Sequence, residues 1–423
     1  MEENSTLSKG TILSAMFLVA GCCIGGGMLA LPVATGINGF IPSLVVMFIC
    51  WIMMTLTGLF LLEVSLWMEV GVHVDTMTHR ILGNFGRWIS WILYLFICYA
   101  SIVAYTAAGG SQISLVLNHL FDLSLGKEWG CALYITIFGL VIYLGSTIVG
   151  RVNAVLFIAM IVSYIALLGM GIPEVQTNYL AYTNWTGFLL AIPLMLASFS
   201  YQTMVPSLTP YLKKNIPGLR WAVIGGTTIT FFVYAIWQWM MLGIVPVEGE
   251  HGLAQALIDG EPATHFLKEH VEGNYVASVA HFFAFFAVVT SFLGIALGLF
   301  DFLSDGLKIK KVGMGNVVLG FLIVVPTLIF ATQFERVFLV ALDSSGGYGD
   351  TILNGLIPVL MVWIGRYRMG YLGKLHVPGG KFLLGIVFTF FVCCLALEIL
   401  VHTGYLSSIY EAYDLVEKRT DGE

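Results

Sequence analysis

Charged side chains are scarce in this chain: Asp, Glu, Lys and Arg make up 10% of its 423 residues, against about a quarter in soluble domains. That shortage excludes a solvated globular domain and a disordered chain. It also leaves no basic stripe for a nucleic-acid partner. Cysteine is sparse as well, seven in all. Cys22, Cys23, Cys50, Cys98, Cys131, Cys393 and Cys394 fall in or beside apolar segments, their number is odd, and adjacent pairs do not suggest bridges. They read as small packing residues and exclude a disulfide framework. Catalytic motifs are missing too. There is no His-Glu-x-x-His and no Gly-x-Ser-x-Gly, and Gly109-Gly110-Ser111 has no histidine placed to activate the serine. The chain is not expected to be an enzyme.

What fills the sequence is hydrocarbon. Hydrophobic residues reach 58%, and a helix needs about 20 of them in a row to cross a bilayer. Eleven segments qualify, at roughly 11–34, 41–66, 88–118, 131–149, 153–173, 185–211, 220–245, 275–304, 314–333, 351–366 and 381–402. The tenth is short, and Asp343 to Asp350 before it reads as loop or a distorted helix start. With the N-terminus inside, all but five of the 19 basic residues fall in inside loops; the five are Lys127, Lys268, Arg336, Lys418 and Arg419. The positive-inside rule therefore places the N-terminus in the cytoplasm and the C-terminus outside. The first segment is too long for a cleaved leader and reads as a retained helix.

That first segment carries Gly21, Gly25, Gly26, Gly27 and Pro32. Each interior glycine costs a helix about 1 kcal/mol relative to alanine, and freed backbone survives in a membrane only where it lines a protein cavity. The sixth segment is interrupted at Ser198-Phe-Ser-Tyr-Gln-Thr203, followed by Pro206 and Pro210. Segments one and six open two consecutive five-helix blocks, and an odd number of crossings makes the second block enter from the opposite side. Paired breaks in an inverted repeat point to a transporter site. A broken helix offers free N–H groups to a carboxylate and free C=O groups to an ammonium, so two crossing breaks can hold a zwitterionic amino acid. The expectation is that the amides of Gly26 and Gly27 serve the carboxylate, that carbonyls near Cys23, Ser198 and Phe199 serve the ammonium, and that Gly25 belongs to the same substrate site. Gly21-x-x-x-Gly25 is equally the pattern of tight helix packing.

The loop 246–274 reads as either a lid or a solvated acidic connection, and 403–423 as a polar tail. Glu63, deep in segment two after Leu61-Leu62, is a functional candidate because burying a carboxylate in a membrane is costly. It is either a proton carrier or an acceptor for neighbouring donors. Asp301 and Asp305, close to Lys308, read as helix-end contacts, and Glu398 as structural. Tyr99, Tyr105, Phe199, Tyr201 and Phe292 can line an aromatic pocket.

Phe17-Leu-Val-Ala-Gly-Cys-Cys-Ile-Gly-Gly-Gly-Met-Leu-Ala-Leu-Pro32 resembles the opening signature of the hydroxy and aromatic amino acid permease family. The stretch Ser291–Asp305 resembles its eighth-helix signature, Ser198–Ser207 its sixth-helix break and Leu61–Val64 its second helix. The resemblance implies an all-α membrane protein with a LeuT-type five-plus-five inverted repeat and eleven helices, the first and sixth broken. As one domain of 1–423, residues 11–173 form the first repeat, 185–366 the second and 381–402 an extra helix. It implies uptake of tyrosine or tryptophan across a bacterial inner membrane, with the amino acid and the lipid bilayer as partners, no obligate protein partner and no cofactor. Ser198, Phe199, Ser200, Tyr201 and Gln202 then belong to the substrate site.

Two departures concern the coupled ion. The tyrosine permeases carry a lysine on the fifth helix where this chain has Met160, and a histidine where it has Gln202. In sodium-coupled relatives of the fold the ion is held by positions that match the carbonyls of Gly21 and Ile24 and the residues Thr290 and Ser291. With no cation at position 160, Na⁺ is the expected filling of that oxygen cage, unless Thr290 and Ser291 only bond back to their own helix. Proton coupling through Glu63 is the alternative.

Overall fold

The computed structural model describes residues 9–69, 72–122, 124–249, 251–267, 270–271, 274–334, 336–371, 373 and 375–406. Lys268, Lys374, Lys418, Arg419 and most of the tail at 403–423 lie outside the described residues.

The described chain is helical from end to end. The first five crossings are a broken pair, α1 (Lys9–Cys23) and α2 (Gly26–Thr35), then α3 (Phe40–Trp67), α4 (Val74–Phe121), α5 (Lys127–Tyr143) and α6 (Ser146–Gly171). A short α7 (Thr177–Ala181) leads to the second broken pair, α8 (Ile192–Ser198) and α9 (Val205–Tyr211), followed by α10 (Ile216–Ile244). A small α11 (Leu253–Asp259) sits in the long loop before α12 (Asn274–Leu307) and α13 (Met314–Gln333). The tenth crossing joins α14 (Val337–Ser344), a π-helical segment (Ser345–Leu356) and α15 (Ile357–Tyr367), and α16 (Gly380–His402) follows it. Among the described residues nine helices are long and apolar enough to span a membrane, and the pair at the first break, bent by 55°, makes ten. The eleventh expected crossing is α5, whose 17 residues fall short of the roughly 20 that a perpendicular span needs.

Three boundaries differ from the sequence reading. The segment expected at 131–149 starts at Lys127 and stops at Tyr143, because Gly145 turns the chain with φ 103° and α6 begins at Ser146. The third crossing is fused to a preceding helix across Gly83, where φ is 73°. The stretch Asp343–Asp350, expected as loop or distorted helix start, is helix throughout, so the tenth crossing begins at Val337 rather than 351. Its glycines are what let it pack: a Cβ on Gly346 would strike the Pro193 carbonyl of α8, and one on Gly349 would strike Ile97 of α4. A π turn is rare in general and concentrates at functional sites.

Helix α1 packs along α10, and α6 along α12. Helix α10 pins the first broken pair with one face, at spacing i, i+3, i+4. Tyr234 Oη faces the Cys23 carbonyl at 2.6 Å, Trp237 Nε1 donates to the Met28 carbonyl at 3.0 Å, and Gln238 Nε2 donates to Thr35 Oγ1 at 2.8 Å. The long loop is a folded cap rather than a solvated connection. Leu253, Leu257 and Leu267 are buried, and burial of a leucine side chain stabilises by about 1.5–3 kcal/mol. The cap lies against α2 and α12.

Candidate functional site

The first break follows from its hydrogen bonds. The last turn of α1 closes with the Ile24 N–H on the Ala20 carbonyl at 2.8 Å, and α2 opens with the Met28 N–H on the Gly25 carbonyl at 3.1 Å. The amides between them have left the helix ladder, and the Gly26 N–H donates to Ser291 Oγ at 3.1 Å. Two neighbours require glycine here. A Cβ on Gly25 would collide with Ser291 Oγ, and one on Gly26 would collide with the Tyr105 ring. Gly27 stands against Ser198, so the break of one repeat touches the break of the other. Ser291 from α12 and Tyr105 from α4 complete the crossing.

The second break runs from Phe199 to Met204. The Cys23 carbonyl at the end of α1 and the Ser198 carbonyl at the end of α8 share one partner, the Tyr234 hydroxyl, at 2.6 and 2.8 Å. Phe199 is buried with its ring edge-on to Tyr234, centroids 5.2 Å apart. Ser200 turns away from α10 and donates to Asp350 Oδ1 of the π segment at 2.6 Å. Asn354 Nδ2 donates to the same Oδ1 at 2.5 Å and to Ser200 Oγ at 3.1 Å.

Four expected lining residues point elsewhere. Tyr99 donates its hydroxyl to the Leu322 carbonyl of α13 at 2.9 Å. Phe292 lies edge-on to Tyr134 of α5, with centroids 5.1 Å apart. Tyr201 donates to the Met54 carbonyl of α3 at 3.2 Å. Gln202 Nε2 reaches that carbonyl at 3.2 Å and Thr57 Oγ1 at 3.1 Å, while its Oε1 accepts the Tyr201 N–H. Tyr201 and Gln202 thus anchor the second break to α3, because an unwound turn sends successive side chains in directions that no helical period predicts.

The expected ion ligands gather only in part. Ser291 Oγ is at the break. Thr290 Oγ1 donates within its own helix, 2.8 Å from the Phe286 carbonyl and 3.1 Å from that of Ala287, and lies 4.0 Å from Met160 Sδ. Met160 is therefore the α6 residue that faces α12 at this level. Gly21 faces Phe157 of α6, and Ile24 is half-buried in the break.

Glu63 takes the second of its two expected roles, an acceptor for neighbouring donors. It is buried four residues from the end of α3, where Arg366 of α15 grips it with two nitrogens, Nε to Oε1 at 2.7 Å and Nη2 to Oε2 at 2.5 Å. The Val377 N–H adds a third bond at 2.9 Å. A bidentate guanidinium–carboxylate pair is strong and geometrically fixed. Asp301 pairs with Lys311 at 2.7 Å rather than Lys308, and Glu398 lies 3.4 Å from His402.

Outside the crossings, the cap carries a half-buried acid and base in contact, Glu261 Oε2 and His265 Nδ1 at 3.3 Å. Burial raises the Glu261 carboxyl to about 7, against the pull of Lys127 and Ser111. Burial, helped by His281, lowers His265 to about 4.

Two helices broken at touching points within an all-helical bundle define the LeuT-type fold. Solved transporters share that fold. MhsT in complex with L-phenylalanine matches with a TM-score of 0.59 at 13% identity, covering 93% of this chain and 98% of that one. A manganese transporter of Eremococcus coleocola matches with 0.63 at 12% identity, covering 98% and 93%. The chain belongs to the tryptophan/tyrosine permease family, whose model matches residues 8–398. It is thus a multi-pass membrane permease and not an enzyme. It is 30% identical to tyrosine-specific transport system 1 of Haemophilus influenzae, over 93% of this chain and 98% of that protein. It is 28% identical to the tryptophan-specific transport protein of the same organism, over 94% and 98%, and 28% identical to the low affinity tryptophan permease of Escherichia coli, over 90% and 94%.

Sequence reasoning missed Tyr234, Asp350, Asn354 and Arg366. The spacing of Asp350 and Asn354, four apart between apolar residues, was the one signal that places two of them on a single helix face.

Proposed function

We propose that this protein imports aromatic amino acids, tyrosine and tryptophan foremost, across a bacterial inner membrane by alternating access. The observation that carries the reading is the pair of touching breaks. The amides at Gly25, Gly26 and Gly27 have left the helix ladder and suit a carboxylate, that of Gly26 in place of its bond to Ser291 Oγ, and the carbonyl ends at Cys23 and Ser198, held by Tyr234, lie beside them. The names of the relatives in the family supply the aromatic class. The distribution of basic residues favours a cytoplasmic N-terminus and a periplasmic C-terminus.

Transport is symport with a cation, and Na⁺ is favoured. A neutral thioether, Met160, stands opposite Thr290, at the place where the tyrosine permeases carry a lysine. The Thr290 hydroxyl donates back to its own helix, which counts against the cage, and only its remaining lone pairs are left for a hard ion. With Gly21, Ile24 and Ser291 it would supply the oxygen cage. Proton coupling through Glu63 loses support because Arg366 already neutralises that carboxylate.

Uptake of labelled tyrosine and tryptophan into proteoliposomes tests the reading, with Na⁺ and proton gradients imposed separately. Accumulation is expected with Na⁺ alone. Thr290→Val should reduce the Na⁺ stimulation about tenfold or more, a loss of roughly 1.4 kcal/mol or above in ion binding. Undiminished Na⁺ dependence in that variant would discard the cage.

A further inference from the structure

Asp350 is the buried group that the transport reading has not used. Its residue exposure is 1%, and it reaches the second break directly through Ser200. Its two oxygens are treated differently. Oδ1 accepts from Ser200 Oγ and Asn354 Nδ2, at 2.6 and 2.5 Å. Oδ2 is buried with no hydrogen-bond partner. No Lys, Arg or His among the described residues forms an ion pair with it. It is close enough to Cys23 and Tyr105, which flank the first break, to act on both electrostatically.

A carboxyl built this way is incomplete. Two neutral donors fix its orientation without cancelling its charge, and an unpaired charge in a dry interior is strongly unfavourable. A carboxylate inside a membrane bundle is a functional group unless it is paired. Something cationic, or a strong donor, has to meet Oδ2 during the working cycle. At the same time the Cys23 and Ser198 carbonyls, the backbone acceptors at the breaks, already engage Tyr234.

We propose that Asp350, oriented by Ser200 and Asn354, binds the α-ammonium group of the substrate through Oδ2. This rests on the amino acid reading of the site. The substrate brings its own cation to the break, and an ammonium offers the N⁺–H donors that a bare carboxylate oxygen lacks. The cluster suits a metal ion less well. Asn354 turns its NH₂ toward the carboxylate and Ser200 its hydroxyl hydrogen, so a hard ion would meet donors where it needs oxygen lone pairs. A proton on Oδ2 would remove the charge but would itself have no acceptor.

The test is equilibrium binding to purified full-length protein in lipid nanodiscs. The ligands are tyrosine and its desamino analogue 3-(4-hydroxyphenyl)propionate, each at fixed Na⁺. Wild type should prefer tyrosine. Asp350→Asn should weaken tyrosine binding at least tenfold, leave the analogue unchanged and so erase the preference. Ser200→Ala, which keeps the carboxylate but frees its orientation, should weaken tyrosine alone by a smaller factor, and it decides the matter if Asp350→Asn does not fold. Tyrosine affinity unchanged in both variants overturns the proposal. So does equal weakening of both ligands, which would mark a general distortion. An unchanged tyrosine affinity with altered response to a proton or Na⁺ gradient would assign Asp350 to ion coupling and likewise overturn it. If wild type binds neither tyrosine nor tryptophan, the aromatic reading fails. The same comparison with other amino acids and their desamino partners then still decides Asp350.

Discussion

Glu63 and Asp350 are both carboxylates with 1% exposure inside the bundle, and they are held in opposite ways. Glu63 meets a guanidinium with both oxygens and a backbone amide besides. Asp350 meets two neutral donors with one oxygen and nothing with the other. The first arrangement joins α3 to α15 and is finished before any ligand arrives. The second is left open beside the break where two repeats touch. Burial alone therefore does not say what an intramembrane acid is for; the state of its second oxygen does.

Three measurements press on that contrast. The largest effect is expected where the finished pair is opened. Arg366→Ala leaves Glu63 buried without its partner, and breaking a buried ion pair costs about 3–5 kcal/mol. Thermal unfolding in nanodiscs should show a large fall, and Glu63→Gln a comparable one, because it strands the guanidinium instead. A small shift in both would remove the distinction. Asp350→Asn should behave differently, staying within about 1 kcal/mol of wild type or rising above it. Asparagine keeps an oxygen for Ser200 and Asn354 and removes an uncompensated charge. A loss as large as that at Glu63 would make Asp350 a structural partner after all.

The smallest effect concerns a third acid, Glu261 in the cap, whose partner His265 is a base of variable charge. Glu261 is raised by burial from 4.5 to about 7. Between those values the folded cap holds a proton that the unfolded cap has lost, so cap stability falls as pH rises. His265 is lowered by burial from 6.5 to about 4. Between those values the unfolded cap holds the extra proton, so stability rises with pH. The two trends oppose one another from about pH 4.5 to 6.5. Hydrogen exchange over residues 253–267 should accordingly change little across that range in wild type. In His265→Gln, protection should decline steadily as pH rises toward 7. A flat profile in the variant would mean that Glu261 does not titrate there.

Much of this architecture was legible in the sequence. Both breaks, at Gly25–Gly27 and at Ser198–Thr203, were written in glycine, serine and proline where a membrane helix cannot carry them without a cavity. The family signatures lie on those same segments. What could not be read was direction. Tyr201 and Gln202 sit in the break by sequence but turn to α3, since an unwound turn has no period from which to infer a face. Phe292 follows Ser291 by one residue, so the helix sends it away from the crossing and into α5. Glu63 and Arg366 are 303 positions apart, and no local pattern joins them. Asp350 was hidden by composition, because the serines and glycines before it look like loop. They are instead the small residues that let a wide helical turn lie flat on α8 and α4.

The hydroxyl of Tyr234 has a mechanical meaning as well. It touches the last carbonyl of α1 and the last carbonyl of α8, elements that belong to different repeats. The oxygen carries one hydrogen, yet it rivets two half-helices to the helix that bears it. Neither inner half-helix can swing without dragging the other or breaking the rivet. In this structure the two halves of the crossing are therefore joined mechanically at one phenol.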